Sequence, residues 1–202
     1  MTISKGQPWG RATPRQAPSI IVDSDHSLAE QVSLALAINN MARIGLTGGD
    51  LCRTIAGPGS TTKIASTEAM TLPIDAISVM YDGHTGLAVA HVVARRRWWS
   101  GPILVVMNAE FLGPWDVATK GHPNDGFADV IEANLPFVER LKASRRLPLG
   151  AHVPHPHITQ RRQKSGQFSF TKPARIFIDG HFVGTSMTLE FVVRPDAFEV
   201  VI

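Results

Sequence analysis

An α/β fragment followed by a mainly antiparallel β-sandwich is the architecture that this 202-residue sequence predicts. Three observations lead to it. Residues 19–54 run strand, helix, strand, glycine turn and short helix, the pattern of one βαβ-type unit whose parallel strands are joined by a right-handed crossover. After Gly57-Pro58-Gly59, short runs rich in β-branched and aromatic residues take over, punctuated by Asp82-Gly83, Asn124-Asp125-Gly126 and Asp179-Gly180. In the last of these runs Leu189, Phe191 and Val193 alternate with Thr188, Glu190 and Arg194, as in a strand with one buried face. The divisions expected are a flexible arm at 1–18, a partial α/β lobe at 19–60 and a β-rich domain at 61–202.

The first eighteen residues place Lys5, Arg11 and Arg15 among prolines and glycines with no apolar segment, which reads as a loose arm and not as a secretory signal. Residues 19–22 form a short β-branched run. Asp23-Ser24-Asp25-His26-Ser27 then turns into a helix; Ser27 and Glu30 have capping-box spacing, and Leu28, Val32 and Leu36 mark one face. A strand over 43–46 leads to Gly48-Gly49, with Asp50 as the expected N-cap of the next helix. Further strands are expected at 74–81, 87–93, 102–107, 126–132, 167–170, 175–178, 188–193 and 198–202, with a helix over 135–143.

Composition narrows the function classes. The formal charge of +3 and pI of 9.4 are modest, no apolar run approaches a membrane span, and no nucleic-acid motif is present. A single cysteine, Cys52, excludes an intrachain disulfide and a multi-cysteine metal site, and makes the cytoplasm the expected compartment. Cys52 itself reads as a small packed side chain. Arg95-Arg96-Arg97 beside Trp98-Trp99 leaves two readings, a peripheral contact with anionic lipid headgroups or a solvated turn with packed tryptophans. His152, His155 and His157 could in principle meet a transition metal, but the intervening prolines favour a polar loop or edge strand.

Two glycines ahead of a helix let the backbone approach an anion closely, with free N–H groups and the positive helix end directed at it. A strand–helix corner that needs glycine only for its turn explains the same residues. Read together with later segments, the motif gains meaning. Thr47-Gly48-Gly49-Asp50-Leu51-Cys52-Arg53 resembles the Gly-Thr-Gly-Asn-Asp-Phe-Ala-Arg segment of the diacylglycerol kinase and sphingosine kinase family of lipid kinases. Met107-Asn108 through Gly113 and Ala118 to Val130 resembles that family's stretch ending in Asp-Gly-x-Leu-Asp-Val. Ile178-Asp179-Gly180-His181 resembles its Val-Asp-Gly-Glu turn, and residues 193–198 its terminal strands. The three occur in the family's order and cover most of residues 43–202.

The resemblance implies a two-lobed lipid kinase-like architecture with a nucleotide site between the lobes, here with a shortened N-terminal lobe. It places Gly48, Gly49, Asp50 and Arg53 against a nucleotide, with Asp25 and Ser27 on the preceding loop. That loop, Gly-Gly-Asp-Gly-Thr in the family, has lost all its glycines here. Asp179 takes the position of a general base, with His181 where the family has glutamate. Asp125 matches an aspartate that organises a structural magnesium. ATP and magnesium are the implied cofactors, and a lipid or small polyol the implied substrate. Replacing Asp179 by Asn is then expected to stop turnover with little change in melting temperature.

Three readings compete: an active lipid kinase-like phosphotransferase, a catalytically impaired relative that binds a ligand or partner, and a structural module that forms homo-oligomers through the open edge of an incomplete lobe. Loss of the loop glycines predicts weak or absent ATP binding.

Overall fold

The computed structural model describes residues 9–12, 18–97, 100–119, 121–150 and 155–202. Strands β1 (Arg11–Ala12) and β2 (Ile21–Val22) precede helix α1 (Asp25–Ala37), β3 (Arg43–Leu46), the short α2 (Gly49–Thr54) and the single turn α3 (Thr61–Ile64). Next come β4 (Met70–Tyr81), β5 (His84–Ala88), β6 (His91–Arg95), β7 (Ile103–Met107) and the small hairpin of β8 (Phe111–Leu112) and β9 (Trp115–Asp116). β10 (Ala128–Ala133), α4 (Phe137–Arg146), a 3-10 turn (Leu147–Leu149), β11 (Ile158–Gln163), β12 (Ser165–Ile178) and β13 (His181–Val201) complete the order.

Among the described residues, eleven strands belong to one hydrogen-bonded sheet, mostly antiparallel, where two packed sheets were expected. The difference lies in β12 and β13. The breaks expected at 171–174 and 194–197 are register shifts inside continuous strands, between Ser169 and Ala174 and between Arg194 and Phe198. Such irregularities bend a strand and increase its twist without ending it, so one sheet can curl and face itself. The concave side is filled by Ile77, Val79, Val106, Ile176, Leu189 and Phe191, from strands on both sides of the curl. Burial of that apolar surface drives the closure.

β2 and β3 pair in parallel, Ile21 opposite Gly45 and Val22 opposite Leu46, with α1 between them in sequence. β3 pairs in parallel with the end of β13, Glu199 opposite Arg43. Leu28, Val32 and Leu51 from the helices share one core with Ile74, Phe198 and Val200 from the sheet. Core and sheet therefore run across the division expected at residue 60.

Part of the segment expected as a flexible arm is anchored. Arg11 and Ala12 pair with Thr71 and Met70, the Trp9 indole N–H donates to the Pro73 carbonyl at 3.3 Å, and Arg11 meets Glu199 at 2.6 Å. The rest of that arm, at 1–8 and 13–17, lies outside the described residues, as do Trp98, Trp99 and His152. The helix expected at 135–143 runs Phe137–Arg146, because Pro136 occupies its N-cap. No helix among the described residues is long and apolar enough to cross a membrane.

Candidate functional site

The glycine turn is shaped by what approaches it. Gly48 is the N-cap of α2 in extended conformation, and Gly49 has φ 93°. A Cβ on Gly48 would stand 2.3 Å from the Asp23 carbonyl oxygen, and one on Gly49 2.4 Å from Asp25 Oδ1. Both glycines are thus required by the start of α1, which lies against them. The Asp25 carboxylate accepts from Asp50 N at 2.6 Å and from Leu51 N at 3.1 Å. These are two of the donors that a helix N-terminus leaves unpaired.

This corrects the capping expected from sequence. Asp50 is inside α2, one residue past Gly49, and the N-cap residue Gly48 has no side chain; the capping carboxylate arrives from Asp25, 25 residues upstream. α1 is likewise capped three residues earlier than Ser27 and Glu30 predict, by Ser24, whose Oγ accepts from Ser27 N at 3.3 Å. The Ser27 hydroxyl is engaged with the same Ser24 Oγ at 3.0 Å.

Asp50 looks the other way. Its Oδ2 lies 3.0 Å from His91 Nε2 and it accepts from Gly113 N at 2.9 Å. Arg53 donates to the Gly113 carbonyl at 3.0 Å and lies over the Phe111 ring, so α2 is tied to the β8–β9 hairpin. Asp179 and Gly180, both at positive φ, make the two-residue turn between β12 and β13. The Asp179 carboxylate is buried and accepts from three backbone amides, Val89, Ala90 and His91, each at 2.9 Å. Those amides lie at the corner where β5 ends and β6 begins, so a ladder partner is missing and the carboxylate serves instead. His181 Nδ1 lies 3.3 Å from the Asp179 carbonyl oxygen, and its ring stacks on His26, ring centroids 3.6 Å apart.

Four ionisable groups therefore converge at the junction of α1, α2, β6 and the β12–β13 turn. Burial, then the negative charge of Asp179, pushes the Asp25 carboxyl up to about 6. Burial also raises Asp179, against the pull of His91 and the three amides. At Asp50 burial is outweighed by hydrogen bonds from His91 and Gly113, which hold the carboxyl below its ordinary value. Burial would depress His91, but Asp50 and Asp179 outweigh it and lift the imidazole.

Asp125 belongs to a second group. One of its oxygens accepts from Phe127 N at 3.1 Å and the other from the Arg162 guanidinium. Beside it the fully buried Asp75 carboxylate accepts from Gly126 N at 2.7 Å, Asp196 N at 2.8 Å and Asn124 Nδ2 at 3.2 Å. Asn108 bridges the two groups, donating to the carbonyls of Asp75 and Val89 at 2.8 and 2.9 Å. His155 lies 3.6 Å from Glu139, and the described residues hold no group of three His, Cys, Asp or Glu arranged for a metal ion. Cys52 is buried, with its thiol raised by burial and Sγ 3.7 Å from the Leu46 carbonyl oxygen.

The donor sets can be tested against the implied cofactors. The α2 amides that would meet a phosphate already hold Asp25, and Asp125 already holds a cation and an amide. Neither arrangement fits its cofactor. Sequence reasoning missed His91, Asp75, Asn108 and Asn124 as members of these networks. A histidine inside the otherwise apolar run 87–93, and an aspartate at 75 inside another, were the signals available.

No protein-family model and no curated protein sequence matches the chain. Solved structures do. Two from Bacillus anthracis str. Sterne, each described as "a putative diacylglycerol kinase", superpose on 90% of this chain with TM-scores of 0.70 and 0.68 at 12% identity, over 77% and 76% of their own lengths. A third from that organism, described as a diacylglycerol kinase, gives a TM-score of 0.60 at 13% identity over 90% of this chain and 75% of its own. The curled sheet, the helices packed on its end and these superpositions agree: the chain has the fold of the diacylglycerol kinase-like lipid kinases.

Proposed function

We propose that the chain is a kinase-fold module that binds an apolar ligand without transferring phosphate. The observation that carries this reading is the position of Asp25. Its carboxylate takes the two α2 amides that an incoming phosphate would need, and places a negative charge where that phosphate would sit. At Asp125 the Arg162 guanidinium supplies the positive charge expected of magnesium. In this reading Asp179 joins the β12–β13 turn to the β5–β6 corner and removes no proton, because all three of its bonds are to backbone amides.

The ligand space lies elsewhere. A cavity of about 130 Å³ opens between α4 and the convex face of the sheet, lined by Ile103, Val105, Trp115, Ile131, Leu135 and Leu147. Arg140 holds α4 over it by donating to the carbonyls of Leu135, at 2.8 Å, and Gly101. An apolar cavity of roughly 150 Å³ stays dry and admits a benzene-sized guest, so a short alkyl or acyl segment matches this one.

A medium-chain fatty acid titrated while Trp115 fluorescence is followed should give saturable quenching. Ala143→Phe, which fills the cavity from α4, should abolish it at an unchanged fold. An unaltered response in that variant would remove the cavity from the proposal.

A second reading is favoured by the fold and by the convergence of Asp25, Asp50 and Asp179. In it the chain transfers a phosphoryl group from ATP to a lipid or polyol hydroxyl once Asp25 is displaced. ATP-dependent phosphorylation of a short-chain diacylglycerol that is lost in Asp50→Asn would establish it.

A further inference from the structure

The convex face of the sheet carries a feature that the cavity does not explain. Arg175 on β12 stands directly opposite Arg95 on β6, and Arg95 directly opposite Ile103 on β7. Like charges set directly opposite each other on one sheet face repel. Burial, then the Arg175 charge, holds the Arg95 guanidinium below its ordinary value. The neighbouring row reads Phe182, Phe177, Val93 and Val105 across the same strands. The rings of Phe177 and Phe182 are 5.6 Å apart, and both arginines lean on them: Arg95 is 4.4 Å from the Phe177 centroid and Arg175 is 4.7 Å from that of Phe182. None of these eight cross-strand residues, Thr185 completing the first row, is acidic.

The patch is presented to solvent. Phe182 is 52% exposed and Val183, the extra residue of a register shift, 38%. Arg96 and Arg97 continue β6 past Arg95 and are exposed as well. Phe177 also packs on the apolar cluster that includes Val105 and Ile131, two of the residues lining the α4 cavity. Cationic guanidiniums, exposed rings and a hydrocarbon-sized cavity thus follow one another along a single face.

We propose that this face, centred on Arg95, Arg175, Phe177 and Phe182, docks the protein on a bilayer surface that contains anionic lipid. Guanidiniums meet the anionic headgroups while Phe182 and Val183 enter the interfacial layer, the division of labour that amphipathic side chains adopt at such surfaces. The alternative partner for arginines and aromatics is a single-stranded nucleic acid, which needs free ring faces for base stacking. Here the guanidiniums of Arg95 and Arg175 lie over those rings. The inference rests on the ligand reading only in setting the cavity beside the docking face.

Co-sedimentation with vesicles of phosphatidylcholine, alone or with a fraction of phosphatidylglycerol, tests it. The protein should bind the mixed vesicles and leave the neutral ones. Arg95→Gln with Arg175→Gln should weaken binding by roughly tenfold or more, since each basic residue near an anionic surface contributes on the order of a fivefold factor. Phe182→Ser, at an exposed position, should weaken binding at an unchanged melting temperature. Equal binding to both vesicle types, undiminished binding by the arginine pair variant, or preferential retention of single-stranded RNA would each overturn the proposal. Ala143→Phe separates the two ideas: vesicle binding that survives in this variant leaves docking intact whatever becomes of the cavity ligand.

Discussion

Asp179→Ala is expected to destabilise the protein by about 4 kcal/mol, because it leaves the three buried amides of Val89, Ala90 and His91 without an acceptor, at roughly 1–3 kcal/mol each before any water enters. Asp179→Asn gives the more discriminating result. Asparagine suits a two-residue turn at positive φ as well as aspartate does, so the turn itself is unaffected. Its carbonyl oxygen keeps the Ala90 and His91 bonds, while its amide faces the Val89 N–H, donor against donor. Burial already raises the Asp179 carboxyl, so removing the charge costs little and the loss is that of one acceptor. About 1–2 kcal/mol follows. The unchanged melting temperature expected of a purely catalytic aspartate gives way to this graded loss, measurable by urea unfolding of the two variants.

Raising the pH should weaken the junction around Asp25. Its carboxyl is lifted from 3.8 to about 6 in the folded chain, so between those values the native state holds a proton that the unfolded chain has released. The stabilisation is complete below the unfolded value and is lost as pH climbs through 6, on the order of 2–3 kcal/mol in all. The groups facing Asp25 are Asp50, Asp179 and His91. His91 and Asp179, both raised, act in the same direction. Asp50, lowered, opposes them only at the acid end, and His122, depressed by burial, opposes them near neutrality. The difference between wild type and Asp25→Asn isolates the one carboxyl. Wild type should lose stability relative to the variant from about pH 4 to about pH 6.5, the interval spanned by the two values, and run parallel to it above that; parallel profiles throughout would show that Asp25 keeps its unfolded-state titration.

How much of this was legible depends on the range of each interaction. Strand 43–46 and the turns at Asp82-Gly83 and Asp179-Gly180 are local, and their residues announce them. The continuity of β12 and β13 was hidden by Pro173 and by Pro195-Asp196, which interrupt the β-rich runs but sit at register shifts inside continuous strands. The β5–β6 corner lies within a run that is apolar except for His91, carries no turn residues, and shows only when Asp179, about ninety residues away in sequence, is seen bonding to it. At the candidate site the residue types were legible and their partners were not. Gly48 and Gly49 allow close approach by any anion, and nothing in their sequence context says that the anion is Asp25. In the same way Arg162 looks like one more basic residue of the 161–164 run until it is found on Asp125.

The central claim is that the chain fills its own phosphate position. Titration with Mg-ATP, followed through the backbone amide signals of Asp50 and Leu51 by NMR, tests it most directly. The account predicts that both signals stay in place, with no saturable binding below about 1 mM, the upper end of ordinary nucleotide affinities. Saturable shifts of those two amides at micromolar Mg-ATP, with displacement of the Asp25 carboxylate, would contradict it.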